Sequence, residues 1–306
     1  MTKPSKSKIA KIELQKDQFV PSLSMWQKAM IRIRHDKTTL IAMGIILFFA
    51  ILAIFAPFIS NTIFQVDPIA QDLRNNYAPL FSEGHPLGTD ELGRDHLSRL
   101  LYGAQISLGI AFAAAFLSIA IGITVGVFAG FYGGILDDLI IWFITTLNSV
   151  PSLFLLIIIS AVLSPGPFSL VLVFGFLGWT GTTRLVRGET YSIKERDFAI
   201  AATAMGASDK RIMFVHIVPN ILSLLIITLS QAMGGLILAE SALSFLGFGI
   251  KAPLPTWGNM LDGGLDYIRR APHLVVLPGL LITVTVLCLY IIGDGLRDAF
   301  DPKIAD

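Results

Sequence analysis

Glu240, in the run LILAESALSFLGFG, is the one ionisable side chain well inside a long apolar stretch of this 306-residue chain. A carboxyl group set in hydrocarbon is costly, so such a residue normally faces a bundle interior or a water-filled cavity and is a candidate for handling a proton or an ion. Its place near the end of its run leaves a second reading open, in which it meets water or hydrogen-bonds to backbone. Other chemistry is sparse. His35, His85, His96, His216 and His273 are scattered, and neither an HExxH pair nor a GxSxG elbow occurs. His85 shares a polar segment with Asp90 and Asp95 but lacks metal-ligand spacing. The lone Cys288 allows no internal disulfide. With no GxxxxGK[ST] phosphate loop, any nucleotide that powers the protein is bound by another chain. No catalytic, cofactor-binding or metal-binding residue is therefore assigned, and the chain is not read as an enzyme.

A different kind of site lies between Phe198 and Pro219, in FAIAATAMGASDKRIMFVHIVP. Phe198, Ala201, Ala202 and Met205 recur at i, i+3, i+4 and i+7, which is one face of a helix. Gly206 follows as a stop, and Ser208 offers an N-cap for a second short helix that Asp209 opens. Pro219 suits the first turn of the next long helix. The pattern reads as helix, turn, helix with an apolar surface that needs a protein partner.

The elements that hold this surface are set by composition. Hydrophobic residues make up 54%, charged residues 15%, and the mean hydropathy is +0.70. A soluble domain typically has about 25% charged residues, so the chain is read as an all-α integral membrane protein. Six runs are long enough to cross a bilayer as helices: roughly 38–59, 105–130, 139–163, 168–183, 219–248 and 274–293. They are continuously apolar rather than alternating, which favours helices over a barrel. The fourth is the shortest. Counting charges outside the runs, 17 of the 23 Lys and Arg fall on the side of both termini and of the Phe198–Pro219 segment. The excess of positive charge predicts that this side is cytoplasmic. The net charge of +1 gives no warrant for nucleic-acid binding. No small-x-small cleavage site follows the first apolar run, so that helix is expected to stay as an anchor.

Residues 1–37 form a cytoplasmic tail and 38–306 the transmembrane domain. In the tail, Leu23, Trp26, Met30 and Ile33 share a helical face opposite Lys28, Arg32 and Arg34, the pattern of a helix lying along an anionic lipid surface. Gly122, Gly126 and Gly130 place a small residue at every fourth position of the second run, which marks a close-packing face. Pro151 in the third run and Gly175 and Gly178 in the fourth are candidate kinks or packing points. A long polar outer loop, 60–98, joins the first two helices, and a shorter outer connection spans 257–270.

At this point the residues carry a resemblance. AATAMGASDKRIMFVHIVPN resembles the EAA loop of the permease subunits of ATP-binding-cassette importers, with Ala201, Ala202, Gly206 and Pro219 at matching spacing. Ile200 stands at the usual glutamate, and His216 and Val218 replace the usual aliphatic pair. HPLGTDELGRDHLSRLLYGA, YSIKERDFAIAATAMGAS and ALSFLGFGIKAPLPTWGNML resemble signatures of the peptide, nickel and opine branch, particularly its C-type dipeptide and oligopeptide permeases. Gln105 departs from the arginine of many members.

The resemblance implies a type I importer permease of six transmembrane helices in a prokaryotic inner membrane, with a coupling loop at 184–218 and both termini cytoplasmic. It implies a second homologous permease subunit, two ATPase subunits that bind ATP and Mg, an extracytoplasmic solute-binding protein, surrounding lipid, and a di- or oligopeptide in transit. Phe198, Ala201, Ala202, Met205, Gly206, Ser208, Asp209 and Pro219 would couple the chain to an ATPase. Nickel chelates, opines or other small solutes are alternative cargoes. A further alternative is an ATP-independent carrier or channel built around Glu240.

Overall fold

Two of the long helices begin where an aspartate side chain satisfies their free amides. In the computed structural model, which describes residues 25–163, 166–264 and 268–301, Asp36 accepts from the Thr38 and Thr39 amides at 3.0 and 3.3 Å. That N-cap separates α1 (Met25–His35) from α2 (Lys37–Ile54). Asp95 accepts from the Ser98 amide at 2.7 Å and starts α4 (His96–Tyr132), a helix of 37 residues. The second membrane helix thus begins well before Gln105. Its polar first turns are held by the segment before it, so hydropathy alone placed the start too late. Between α2 and α4 lie one turn, α3 (Ala56–Phe58), a π-helical turn Ile59–Phe64, and a stretch of tight turns that includes the 3-10 turn Leu73–Asn75.

Gly133, at φ +65, breaks the chain after α4, and α5 (Gly134–Leu147) and α6 (Ser152–Val162) follow. These two meet at 79° across Pro151. Pro151 therefore does kink the third run, sitting at the N-cap of α6 where its missing amide costs nothing. α7 (Pro167–Lys194) runs 28 residues, so the fourth span is not a short one. Arg184–Lys194, read from sequence as the start of a loop, continue this helix. α8 (Asp197–Ala204), a turn α9 (Asp209–Arg211), a π-helical segment Ile212–Ile217 and α10 (Val218–Phe245) come next, with Pro219 in the first turn of α10. α11 (His273–Phe300) closes the fold. Five helical stretches are long and apolar enough to cross a membrane, and the bent α5–α6 pair makes a sixth. Among the described residues there is no β-strand, only the isolated bridges Ser82–His85 and Thr89–Asp95.

The most extensive helix pair is α4 with α7. The two run parallel, because Gly122, Gly126 and Gly130 meet Thr182, Val186 and Thr190 in ascending order. A Cβ at Gly122 would lie 2.5 Å from Thr182 Cβ, and one at Gly126 would lie 2.8 Å from the Thr183 carbonyl oxygen. The glycine stripe is a packing seam. Gly175 and Gly178 serve the same pair against Leu117 and Ser118, so they are contact points rather than hinges. α10 packs antiparallel to α11, and Thr39 of α2 fills the notch at Gly295. Four apolar clusters result among the described residues. Of the two largest, one joins Ala53, Leu100, Ala104, Ile237, Trp257 and Ile282; the other joins Ile119, Val127, Val186, Ile193, Met213 and Ile221.

α1 lies against the last turns of α11 with Ala29 buried and Trp26 edge-on to Phe300 at 4.9 Å. Leu23, which the sequence reading placed on the same face, lies outside the described residues. The bundle thus has a near end, carrying α1, α8 and the end of α11, and a far end, carrying 65–95, 247–264 and 268–272.

Candidate functional site

α8 hangs from the end of α7 by a turn of two residues and stops at Gly206. The Gly206 amide donates to the Thr203 carbonyl at 2.9 Å, and the Ala207 amide reaches back to the Ala202 carbonyl at 3.0 Å. This paired closure requires a left-handed residue, and Gly206 supplies φ +83. No atom lies within 4 Å of where its Cβ would be, so the position is chosen by backbone conformation alone.

The predicted face divides. Phe198, Ala201 and Met205 are exposed, Met205 at 82%, whereas Ala202 turns inward with Ala199. Ile200, at the position where the resemblance expects glutamate, is 54% exposed. Ile212, Met213 and Ile217 bury the other side of the turn into the bundle, while Phe214 and Val215 stay exposed. Phe198 and the His216 ring approach at 6.4 Å. Ser208 stands at the N-cap of α9 in an extended conformation, but its hydroxyl makes no capping bond; the expected side-chain cap is absent. Asp209 opens α9 and is exposed. The near end thus presents a short, rigid, apolar projection with little charge.

The root of that projection is fastened to the α4–α5 corner. Lys194, three residues before α8, donates to the Phe131 carbonyl at 2.6 Å and sits 5.1 Å over the Phe131 ring. Two turns earlier, the Arg187 guanidinium forks onto both oxygens of Asp137 in α5, with Nη2 at 2.5 Å from Oδ2. Tyr191 donates to Oδ2 of the same carboxylate at 3.0 Å, under the guanidinium. Bidentate pairing fixes direction as well as distance. These contacts join α7 to the α4–α5 corner at the root of α8.

At the far end, Glu240 is 1% exposed and does not meet water or backbone. Its Oε1 accepts from the hydroxyls of Ser244 and Thr256, both at 2.8 Å. Beside it, Asp90 accepts from Arg94 Nε at 2.7 Å with Arg99 Nε at 3.3 Å, and Arg94 also donates to Glu91 at 2.9 Å. Glu91, Arg94 and Arg99 border a cavity of about 350 Å3 that Lys251, Asn259 and Asp262 also line. His85 pairs with Asp95 at 2.9 Å rather than with Asp90. Among the described residues, no cluster of three or more His, Cys, Asp or Glu side chains comes together.

Sequence reasoning missed the Arg187–Asp137–Tyr191 group, the Lys194 contact and the Asp90–Arg94–Arg99 set. An intramembrane-edge arginine with an aspartate in the neighbouring helix was the available signal, since such charges normally pair.

Two family models match parts of the chain. Residues 122–306 match the binding-protein-dependent transport system inner membrane component, and residues 24–79 match the N-terminal transmembrane domain of oligopeptide transport permease C. The oligopeptide transport system permease protein OppC of Bacillus subtilis is 37% identical over 283 residues, covering 92% of this chain and 91% of the relative. Its Escherichia coli K12 counterpart is 38% identical over 284 residues, 93% of each chain. The dipeptide transport system permease protein DppC of Alkalihalophilus pseudofirmus is 37% identical over 288 residues, 94% of this chain and 93% of the relative. With the helical bundle, the Gly206-terminated projection and these matches together, the chain belongs to the inner-membrane permease component family of binding-protein-dependent transport systems.

Proposed function

We propose that this chain is the membrane-spanning half of an ATP-driven importer of dipeptides or oligopeptides, working with a second permease subunit, two ATPases and an extracytoplasmic binding protein. The observation that carries the reading is α8, a helix ended by the Gly206 turn that packs Ala199 and Ala202 inward and leaves Phe198, Ile200 and Met205 exposed, on the side with most of the Lys and Arg. The charge bias favours a cytoplasmic near end. There α8 would seat in a groove of an ATPase, with Phe198, Ala201 and Met205 toward the partner. ATP, with Mg, would be bound and hydrolysed by the ATPases, and their motion would reach α7 through the root of α8. Rigid movement of α7 with the α4–α5 corner would then exchange access between the two sides. The peptide assignment comes from the names of the relatives, all of which are oligopeptide or dipeptide permeases in the three comparisons above.

The test is reconstitution of the full complex in proteoliposomes with labelled di- and oligopeptides, nickel chelates and opines as separate cargoes. ATP-dependent uptake of peptide alone supports the reading. Uptake by this chain without ATPases, or of another cargo instead, overturns it. A Gly206→Val complex should insert normally yet lose ATPase attachment or coupled uptake, because a β-branched residue is strained at φ +83.

A further inference from the structure

Glu240 is buried at the far end of α10 with hydroxyl partners and no counter-ion. The groups acting on its carboxyl are Ser244, Thr256 and Ser107, and none is Lys, Arg or His. Oε2 has no hydrogen-bond partner. A carboxyl placed this way does not form an ion pair, so its surroundings must explain why it is there.

Those surroundings are the segment Gly249–Leu261, folded onto three helices at once. Thr256 ties it to Glu240 in α10 at 2.8 Å. The next residue, Trp257, is 1% exposed; its amide donates to Ser107 Oγ at 3.1 Å and its indole Nε1 to the Leu100 carbonyl at 3.0 Å, both in α4. The indole also stands edge-on to Phe49 of α2 at 6.3 Å. Gly258 rests directly on α10, because a Cβ there would come 2.7 Å from Ser241 Cα and 2.9 Å from Glu240 Oε2. Asn259 holds the segment's own shape, donating to the Ile250 and Leu254 carbonyls at 2.9 and 2.8 Å and accepting from the Thr256 amide at 2.9 Å. The segment is a preformed unit with two attachments side by side: a hydroxyl to Glu240 and an indole to α4.

We infer that Glu240 is a positioning residue, a hydrogen-bond latch that fixes Gly249–Leu261 across α10 and α4 so that these elements move as one body during transport. The carboxyl acts through its acceptor oxygen and its shape, and it carries no ion across the membrane. A glutamate suits the task because its reach lets one oxygen collect a hydroxyl from its own helix and a second from the segment above. An apolar residue would leave the buried Thr256 hydroxyl without its acceptor. The link to transport rests on the importer reading above, whereas the anchoring of Gly249–Leu261 stands without it.

The test compares Glu240→Gln, Glu240→Ala and Thr256→Val in the reconstituted complex by two readouts. The first is hydrogen–deuterium exchange of the amides in 249–261, which needs no transport activity. The second is peptide taken up per ATP hydrolysed. Glu240→Gln keeps the acceptor oxygen and should match the parent protein in both. Glu240→Ala should speed exchange by about tenfold or more and lower uptake per ATP severalfold. Thr256→Val should reproduce both changes, and adding it to Glu240→Ala should change little more; it keeps the proposal testable if Glu240→Ala fails to fold. Glu240→Gln as damaging as Glu240→Ala would overturn the latch in favour of an ion-handling carboxyl. Unchanged exchange in both Glu240→Ala and Thr256→Val would overturn the anchoring. Faster exchange with unchanged uptake per ATP would overturn the role in transport, while leaving the importer reading intact.

Discussion

The Arg32 guanidinium donates to the main-chain carbonyl of Asp301 at 2.7 Å and to that of Ala299 at 3.2 Å. A cation from α1 thereby closes the exposed carbonyls at the C-terminal end of α11, where the helix dipole is negative. Trp26 supports the same junction through Phe300. The amphipathic first helix is thus fastened to the bundle as well as suited to a lipid surface.

Replacing Arg32 should loosen that junction without disturbing the membrane spans. Arg32→Ala is expected to cost about 1 kcal/mol, the scale of a cation at a partly buried helix terminus. Arg32→Lys should recover only part, since an ammonium cannot span several carbonyls as the planar fork does. Thermal unfolding of the solubilised protein would show the order native, Lys, Ala; equal stability of all three would refute the capping role.

The glycine seam makes a stronger demand. At Gly126 an added Cβ would press on the Thr183 carbonyl oxygen at 2.8 Å and on Val186 Cβ at 2.8 Å. One of these is backbone, so relief requires α4 and α7 to separate. Gly126→Val should destabilise by about 1–3 kcal/mol. Gly109, with open space around its Cβ position, is the control: Gly109→Ala should be neutral or slightly stabilising. A cross-linking assay between α4 and α7 would report the separation directly.

This seam was legible in the sequence because small residues at every fourth position encode close approach without reference to any other segment. The Gly206 stop was legible for a similar reason, as it follows an apolar helical face and precedes a capable N-cap. The extension of α7 to Lys194 was not, because hydropathy falls as the helix leaves hydrocarbon while helical geometry continues through Arg184, Arg187 and Glu189. Ser208 misled because its backbone is right for a cap but its hydroxyl makes no capping bond. Partners such as Glu240 with Thr256, or Arg187 with Asp137, lie on different elements, and no periodicity links them.

Acid should weaken the start of α2. Asp36 is held down to about 2 by the hydroxyl of Thr38 and then that of Thr39, with the two backbone amides adding to them. A depressed carboxylate contributes stability that is fully present above its ordinary value near 4 and is lost as pH falls toward 2. Because the side chain is largely open to water, the contribution is modest, and Asp36→Ala should cost about 1 kcal/mol at neutral pH as a lost N-cap. Asp36→Asn keeps an acceptor for the amides and should remove most of the pH dependence between 4 and 2. A pH series of thermal unfolding would settle it, and an identical acid slope in Asp36→Asn would contradict the assignment.

The coupling root gives the most discriminating prediction. Arg187 and Asp137 join α7 to α5 while Lys194 joins α7 to the end of α4, so the pair sits between α8 and the bend toward α6. Asp137 is nearly buried, whereas Arg187 is about a third exposed, which limits the energy of the pair through solvent screening. Arg187→Gln and Asp137→Asn should each cost more than their double substitution implies, with a coupling of about 1 kcal/mol in a double-mutant cycle. Tyr191 should soften the loss in Arg187→Gln, since its hydroxyl still donates to Asp137. If the group only stabilised the fold, lost uptake would track lost assembly. If it transmits motion from α8, the single variants should assemble and hydrolyse ATP yet move less peptide per ATP, and the exchanged pair Arg187→Asp with Asp137→Arg should restore part of that ratio.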